Sequence, residues 1–320
     1  MAQKISIDPL TRLEGHGKID IFLNDDGTVQ DSYFQVVELR GFEQFCQGRP
    51  VEELPRITPK ICGVCPGAHH MASSKAADAV YGLTPPPAAR KIRQLFYNAH
   101  VAHSHILHFF ALAAPDFVPG PSAGPEKRNI LGLVEELGKG AVRRVLQNRG
   151  YAQKIQGLIA GHPIHPVASL PGGMAAPLSE ATRQEILGMA EELKEFAQFA
   201  LWFFENHILA EEKNQKLLTS EMFTHRTHYM GLVDEQGRVN FYDGQLRVVD
   251  PEGHRLAQFE DAAYLDHIAE TVLPWSYMKF PYLRQKGWHG LVDGAQSGVY
   301  RVNSLARLNV ADGMATPLAQ

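Results

Sequence analysis

The 320-residue sequence predicts a mainly α-helical α+β fold, in which a bundle of long helices carries small β-ribbons and an N-terminal β-hairpin. Two observations predict it. Apolar residues recur at helical spacing through most of the middle of the chain, and short alternating stretches lie towards both ends. Apolar residues make up 44% of the chain and charged residues 21%, so the chain can bury a large core.

The β part is predicted for residues 1–40. Residues 18–23 partly alternate between apolar and polar, Asn24-Asp25-Asp26-Gly27 has turn chemistry, and residues 29–37 are again extended. Two extended runs joined by a short Asn/Asp/Gly turn are typical of a β-hairpin.

Glu14 is the first candidate functional residue. Thr11 and Glu14 have the spacing of a helix capping box, which gives the glutamate an ordinary structural explanation. However, Gly15 and Gly17 follow and a strand comes next, so no helix is expected there. A carboxylate at a glycine-flanked bend is therefore a candidate for chemistry.

The helical bundle is assigned to residues 60–225. Helices with starts and stops marked by proline, glycine and capping residues are predicted for residues 68–81, 88–113, 126–149, 180–216 and 261–271. Between them, residues 161–177 are rich in proline, glycine and histidine, which is typical of a surface or interface loop. Residues 226–320 are predicted to hold a β-ribbon at 229–250, a helix and irregular segments.

Composition excludes several classes of function. The formal charge of −4 and the isoelectric point near 6.4 provide no basic field for nucleic acid. The N-terminus has no signal-peptide core, and no apolar run reaches the ~18–20 residues of a transmembrane helix. Three cysteines are too few for a disulfide framework and suit a reducing compartment. We therefore expect a cytoplasmic protein that is not integral to a membrane.

The strongest chemical signal is Cys62-Gly63-Val64-Cys65, which His69 and His70 follow. A C-x-x-C pair can converge on one metal or form a redox disulfide. A structural zinc site needs four ligands, and the third cysteine, Cys46, is isolated. His69 and His70 could complete four ligands only in a cramped geometry. From the motif alone, zinc, redox chemistry and an unusual metal centre all remain open.

Four histidines in the predicted helix 88–113 form no comparable motif: His100, His103, His105 and His108. At 100° per residue they spread over more than a third of the helix circumference, unlike the single metal-binding face of H-E-x-x-H. We interpret them as packing and hydrogen-bonding residues.

The order of several motifs along the chain resembles the large subunit of the nickel–iron hydrogenases, specifically the cytoplasmic, multimeric branch. The segments that carry this resemblance are 8–16, 40–43, 56–70, 164–173, 275–282, 300–302 and 306–309. The family also has a second C-x-x-C and a histidine near its C-terminus, and these 320 residues contain neither. Residues 1–320 are thus expected to be a single large-subunit domain that is C-terminally incomplete.

The resemblance implies a function and a set of site residues. The family catalyses the reversible heterolytic cleavage of hydrogen to protons and electrons at a nickel–iron centre whose iron carries carbon monoxide and cyanide. By this resemblance, Cys62 would be a terminal nickel ligand and Cys65 would bridge nickel and iron. Glu14 would relay protons, and His69 would hydrogen-bond a bridging sulfur. Glu43 would be a ligand of a magnesium-type ion.

Partner proteins are implied as well. Three cysteines cannot hold a relay of iron–sulfur clusters that each need about four ligands. An iron–sulfur small subunit is therefore expected, together with maturation proteins that install carbon monoxide and cyanide. Electron-acceptor subunits linked to heterodisulfide reductase, nicotinamide or deazaflavin are all compatible with the sequence.

Three alternatives remain open at this point. The quinone-site subunit of respiratory complex I shares the ancestry of this family, but Cys62 and Cys65 argue against a metal-free role. The chain could instead be a non-catalytic or immature hydrogenase-like structural subunit of an electron-transfer complex. A C-terminal part that was cleaved or is encoded separately is the third alternative, and the sequence favours an incomplete chain of a working enzyme.

Overall fold

The computed structural model describes residues 3–38 and 40–320. They fall into two compact units. The sheet unit combines the residues up to Gly41 with Thr224–Gln320, and the helical unit is Phe42–Phe223. The predicted α+β class, with long helices and small sheets, is confirmed.

The secondary structure is named here in chain order. The α-helices are α1 (Phe42–Cys46), α2 (Leu54–Ile57), α3 (Pro66–Tyr81), α4 (Pro87–Leu107), α5 (Ala114–Phe117), α6 (Ile130–Ala160), α7 (Glu180–Phe203), α8 (Glu212–Thr219), α9 (Tyr264–His267) and α10 (Asn303–Val310). The strands are β1 (Gln3–Ile7), β2 (Gly17–Leu23), β3 (Val29–Val36), β4 (Ser169–Leu170), β5 (Gly173–Met174), β6 (His228–Val233), β7 (Gln245–Val249), β8 (Arg255–Phe259), β9 (Ile268–Val272), β10 (Lys279–Leu283) and β11 (Tyr300–Arg301).

Small sheets build the sheet unit. The predicted N-terminal hairpin is β2–β3. Strand β1 pairs antiparallel with the other edge of β2, which gives the order β1-β2-β3. A second sheet has the order β11-β6-β7-β8, and β9 and β10 form an antiparallel pair. Helix α10 packs on β6, where a side chain at Gly231 would lie 2.9 Å from Val310. Glycine at this position therefore allows the helix to approach the sheet closely.

The helical unit is built around a phenylalanine-rich core between α4, α6 and α7. Phe110, Phe196 and Phe203 are buried together with Ile106, Leu133 and Ile208. Helices α4 and α7 both run into π-helical segments, His108–Ala113 and Phe204–Leu209, where this core is densest. Apolar spacing on one face of each helix thus places the core as the sequence predicts.

Two predicted helices differ in length from the observed ones. The helix predicted for 126–149 is Ile130–Ala160: the Asn129 side chain accepts hydrogen bonds from the amides of Leu131 and Gly132, and Gly161 follows the last turn. The helix predicted for 180–216 ends earlier because its last turns are π-helical and a break precedes α8.

The predicted helix 261–271 is wrong. Only α9 and a preceding 3₁₀ turn, Asp261–Ala263, are helical, and β9 begins at Ile268. Strand β9 pairs along its whole length with β10, so Thr271 faces Phe280 and Val272 faces Lys279. Pairing with a distant strand, together with β-branched residues, overrides the local helical preference here.

No helix in residues 3–38 or 40–320 combines the length and the apolar character that crossing a bilayer requires.

Candidate metal centre

A 3₁₀ turn leads into the C-x-x-C pair, which lies directly before the long helix α3. Cys62 follows the 3₁₀ turn Thr58–Ile61, and Cys65 is the residue immediately before α3. Pro66 occupies the first helical position, where its missing N–H costs no helical hydrogen bond and its fixed φ suits the helix. The prolines around the motif therefore define where the chain turns from Cys62 into the helix.

The ligand atoms of Cys62, Cys65 and His69 all lie within 4.8 Å of one another. Cys62 is 8% exposed, and the Cys65 amide donates a hydrogen bond to its Sγ at 3.2 Å. An amide donor stabilises negative charge on sulfur, and the N-terminal end of α3 does the same for Cys65 through the helix dipole. The Cys62 sulfur thus lies beside a backbone donor that a metal-bound thiolate can use.

His69 lies one turn into α3, on the side of the cysteines. Its amide donates to the Cys65 carbonyl at 3.5 Å, and its own carbonyl accepts a hydrogen bond from Thr58 Oγ1 at 3.3 Å. Burial lowers the pKa of His69, so its imidazole is neutral at neutral pH. A neutral imidazole can offer a nitrogen lone pair to a metal or an N–H to a sulfur.

His70 faces the opposite way and is fully buried. Its Nδ1 lies 2.6 Å from the Pro55 carbonyl, and its Nε2 accepts a hydrogen bond from the Ser169 amide at 3.0 Å. Both ring nitrogens are therefore engaged by backbone groups. The four-ligand set that includes His70 is excluded in this arrangement.

The donor set fits a soft transition metal. Two thiolates and one imidazole suit nickel, iron or zinc, whereas magnesium prefers oxygen ligands. No disulfide joins the three cysteines, Cys46, Cys62 and Cys65, in the described residues. Within the described residues the group contains three ligands, one fewer than a closed structural zinc site requires. The described residues thus offer three of the four ligands that such a site uses.

The N-terminal turn of α3 rests on α4. A Cβ added to Gly67 would lie 2.6 Å from Cγ of His100, so the helix touches the imidazole directly. His100 Nδ1 lies 3.1 Å from Gln156 Oε1, and the Gln156 amide donates to the Ala152 carbonyl. Burial lowers the pKa of His100, and the neighbouring His69 acts in the same direction. His100 is therefore a neutral support under the metal-binding turn.

This contact gives a prediction for Gly67. We expect Gly67→Ala to lower the free energy of unfolding by about 1–3 kcal/mol, because the new methyl group has no space beside His100. Gly188→Ala is the matched control, since Gly188 lies in α7 with open space around it and should gain about 0.5–1 kcal/mol. Chemical denaturation measures both, and equal effects would contradict this packing.

The loop predicted at 161–177 is anchored by a buried ion pair. Arg93 of α4 is fully buried and donates to Asp78 of α3 through Nη1 at 2.5 Å and Nη2 at 3.3 Å. Its Nη2 also donates to the carbonyls of Leu170 at 2.7 Å and Gly173 at 3.0 Å. The Gly172 amide donates to Asp78 Oδ1 at 2.6 Å. One ion pair thus joins two helices and the β4–β5 turn.

The other predicted site residues lie elsewhere. Glu43 is exposed in the first turn of α1, and it is not a member of the Cys62 group among the described residues. Glu14 belongs to the sheet unit, where it is exposed in the turn between β1 and β2. Cys46 ends α1 outside the metal-binding group. The roles of Glu14 and Glu43 therefore stay predictions.

His103 is the most perturbed of the α4 histidines. Burial lowers its pKa to about 4, and the charges of Arg149 and His100 act in the same direction. Neither of its ring nitrogens has a hydrogen-bond partner within the described part of the chain. His103 is thus a packing residue that the fold holds neutral.

The low pKa of His103 predicts a pH dependence of stability. In the unfolded chain the His103 imidazole binds a proton near pH 6.5, and in the folded chain only near pH 4. The contribution of neutral His103 to the free energy of unfolding is therefore complete above pH 6.5 and is lost as the pH falls towards 4. Between pH 7 and 4.5 the free energy of unfolding should decrease by about 2 kcal/mol less in His103→Leu than in the wild type. Denaturation at both pH values, with the exposed His289 replaced by leucine as control, measures this. If the free energy of unfolding of His103→Leu changed with pH as much as that of the wild type, this prediction would be wrong.

Sequence reasoning considered His70 only as a possible ligand and did not identify its two backbone contacts. The signal was present in the helical spacing. His70, Ser74 and Ala77 lie on one face of α3, and this face is buried. Most buried polar groups are hydrogen-bonded, so this buried position favours partners for the His70 ring. One partner, Pro55, comes from α2, and the other, Ser169, comes from the loop.

A soft-metal site at the start of a long helix, in a helical protein with small sheets, defines a class of metalloprotein. Comparison with known proteins identifies the family. Residues 40–128 match the model described as nickel-dependent hydrogenase, and residues 4–39 match the model described as HoxL-like. The chain belongs to the nickel-dependent hydrogenase family.

Individual relatives agree with this assignment. The chain is 46% identical over 318 residues to the F420-non-reducing hydrogenase iron-sulfur subunit of Archaeoglobus profundus, covering 99% of this chain and 65% of that protein. It is 44% identical to the F420-non-reducing hydrogenase vhu subunit of Methanocaldococcus jannaschii, covering 99% of this chain and 73% of that protein. The crystal structure of an NAD+-reducing nickel–iron hydrogenase in the H2-reduced state superimposes with a TM-score of 0.89 at 37% identity, covering 99% of this chain and 68% of that one. The chain thus spans about two thirds of the length of these relatives.

Proposed function

We propose that this chain is part of the catalytic large subunit of a nickel–iron hydrogenase, which reversibly cleaves hydrogen into protons and electrons. The observation that carries the proposal is the convergence of Cys62, Cys65 and His69 within 4.8 Å at the start of α3, in a member of the nickel-dependent hydrogenase family. When bound, the nickel–iron centre supplies the heterolytic cleavage of hydrogen.

The chain's own residues hold and tune this centre. Cys62 is the proposed terminal nickel ligand and Cys65 the proposed bridge between nickel and iron, because a thiolate has lone pairs for two metals. The Cys65 amide donates to Cys62 Sγ, and Cys65 lies at the N-terminal end of α3. His69 remains neutral through burial and is proposed to donate a hydrogen bond to a bridging sulfur.

The proposed centre also includes carbon monoxide and cyanide on the iron and a magnesium-type ion. Carbon monoxide and cyanide on the iron are proposed to be installed by maturation proteins, because amino-acid side chains cannot provide them. Glu43 is proposed as a ligand of a magnesium-type ion, which a hard carboxylate suits. We propose a reducing, cytoplasmic location, because three cysteines in 320 residues are too few for a disulfide framework.

Electrons are proposed to leave through an iron–sulfur small subunit, which passes them to heterodisulfide reductase-, nicotinamide- or deazaflavin-linked subunits. A groove of about 670 Å³ in the helical unit supports this. Its lining includes Lys60, which lies two residues before Cys62. The basic side chains Arg56 and Lys60, the imidazoles His162 and His165, and the phenylalanines Phe42 and Phe45 face it. An apolar partner surface with an acidic rim complements such a groove. We propose that the small subunit docks here.

An infrared spectrum of the natively purified complex tests the function. Stretching bands of metal-bound carbon monoxide and cyanide, together with nickel and iron in the same complex, are the expected result. Their absence would refute the catalytic proposal and favour the alternative of a non-catalytic or immature hydrogenase-like structural subunit.

Glu14 gives a more specific prediction. If Glu14 passes protons to and from the centre, Glu14→Gln keeps the shape but cannot ionise, and we expect hydrogen uptake to fall at least about 100-fold with nickel content unchanged. Hydrogen uptake and hydrogen–deuterium exchange by the purified complex measure this. Asp25→Asn, in the exposed turn after β2, is the control. Normal uptake and exchange by Glu14→Gln would show that Glu14 carries no essential proton.

A further inference from the structure

The neighbourhood of the metal-binding pair contains a buried hydrogen-bond frame that the proposed chemistry does not use. The residues before Cys62 and the residues after Cys65 run side by side and are linked to each other. We propose that His70 is a positioning residue of this site: its bond to the Pro55 carbonyl sets the place of Cys62 relative to Cys65 and His69. This inference rests on the metal site of the proposed function.

The frame is defined by contacts on both sides of the C-x-x-C pair. His70 Nδ1 bonds to the Pro55 carbonyl at 2.6 Å. Thr58 Oγ1 donates to the His69 carbonyl at 3.3 Å and shares its hydrogen with the Leu54 carbonyl at 3.0 Å. Pro55 and Thr58 precede Cys62, whereas His69 and His70 follow Cys65 on α3. The two bonds therefore close the base of a loop that has the cysteines at its tip.

The partners of His70 determine which of its nitrogens carries the proton. The Pro55 carbonyl can only accept a hydrogen bond, so Nδ1 must carry the hydrogen. The Ser169 amide can only donate, so Nε2 must be bare. His70 is fully buried and packs edge-to-face on Phe96. Nδ1 is thus the hydrogen-bond donor of His70, and Nε2 is its acceptor.

The two hydrogen bonds of His70 connect it to different parts of the helical unit. The Nδ1 bond reaches α2, which continues through the 3₁₀ turn 58–61 into Cys62. The Nε2 bond reaches β4 in the loop that Arg93 and Asp78 anchor independently. Losing the Nδ1 bond releases the segment that carries Cys62, whereas losing the Nε2 bond leaves the loop held by the ion pair. The position of the thiolates depends on the first bond.

A matched pair of amide substitutions separates the two bonds. In His70→Asn, the side-chain amide takes the place of Nδ1–H and can still donate to Pro55. In His70→Gln, the carbonyl oxygen takes the place of Nε2 and can still accept from Ser169. Each variant is a small polar replacement that keeps one bond and loses the other, so we expect both to lower Tm by similar amounts.

The probe is Co²⁺, added to the metal-free full chain, because its thiolate charge-transfer absorption reports Cys62 and Cys65 directly. We expect His70→Asn to bind Co²⁺ with a Kd within about 3-fold of the wild type. We expect His70→Gln to bind at least about 10-fold more weakly, with altered thiolate absorption, which is the size of effect that residues supporting metal ligands usually have.

Several outcomes would overturn the proposal. They are equal Co²⁺ affinities of the two variants, weaker binding by His70→Asn than by His70→Gln, and failure of the wild-type chain to bind Co²⁺ through thiolates. If neither His70 variant folds, Thr58→Val decides, since it removes the hydroxyl that donates to the His69 carbonyl at 3.3 Å and, within its own turn, to the Leu54 carbonyl at 3.0 Å. A 3-fold or greater weakening supports the frame, and an unchanged Kd refutes it. The assay uses no hydrogenase activity, so its result is distinct from the infrared test of the proposed function.

Discussion

Replacing either Cys62 or Cys65 by serine is expected to abolish nickel binding by the purified complex, with a loss of affinity of at least about 100-fold. Serine stays protonated at neutral pH and offers a hard oxygen in place of a soft thiolate, so nickel bound as proposed would lose one of its two sulfur ligands from this segment. Nickel content by mass spectrometry, together with the carbon monoxide and cyanide infrared bands, measures the effect.

Cys46→Ser is the matched control, because it removes a thiol from the same helical unit without touching the metal-binding group. We expect its nickel content to equal that of the wild type. Full nickel content in Cys62→Ser or Cys65→Ser would show that the metal is held by other residues, and the site assignment would then be wrong.

The second large effect is expected at Arg93. In Arg93→Met, the carboxylate of Asp78 loses its ion pair in a buried setting, and the carbonyls of Leu170 and Gly173 lose their donor. Removing one partner of a buried ion pair costs about 3–5 kcal/mol, because the other charge stays buried without compensation. We expect a decrease of this size in the free energy of unfolding of the chain, measured by chemical denaturation.

Two comparisons identify the cause of that loss. Adding Asp78→Asn to Arg93→Met removes the uncompensated charge while an oxygen still accepts from Gly172, so the double variant should be more stable than the single one. Arg183→Met breaks an exposed pair with Glu180 and should change stability little. A double variant that is less stable than Arg93→Met would contradict the charge explanation.

The sequence predicted those parts of the fold whose determinants are local. The start of α3 is set by Pro66 and its end by Gly82, which adopts a left-handed conformation, and both signals are visible in the residues themselves. The end of α6 was predicted too early because its buried face continues through Ala152, Ile155 and Ile159 past the glycine at 150. The strand at β9 could not be predicted, because its structure depends on β10.

The same distinction holds for the site. Cys62, Cys65 and His69 are close in sequence, and a single helical turn brings His69 back to the cysteines, so their proximity follows from local spacing. The roles predicted for them come from the family resemblance. The partners of His70 and Arg93 come from residues 169–173, far along the chain. Contacts of this kind follow from the tertiary fold and have no counterpart in local spacing.

The division into units has a consequence for the order of folding during synthesis. The helical unit is one uninterrupted stretch, and every member of the Cys62 frame has been made once the ribosome passes residue 223. The sheet unit instead joins the first forty or so residues to the last hundred, and the bond from the Tyr277 amide to the Val36 carbonyl links the two parts. Units complete in sequence can fold first, whereas long-range closure is slow. The two thiols can therefore meet before the N-terminal strands find their final neighbours.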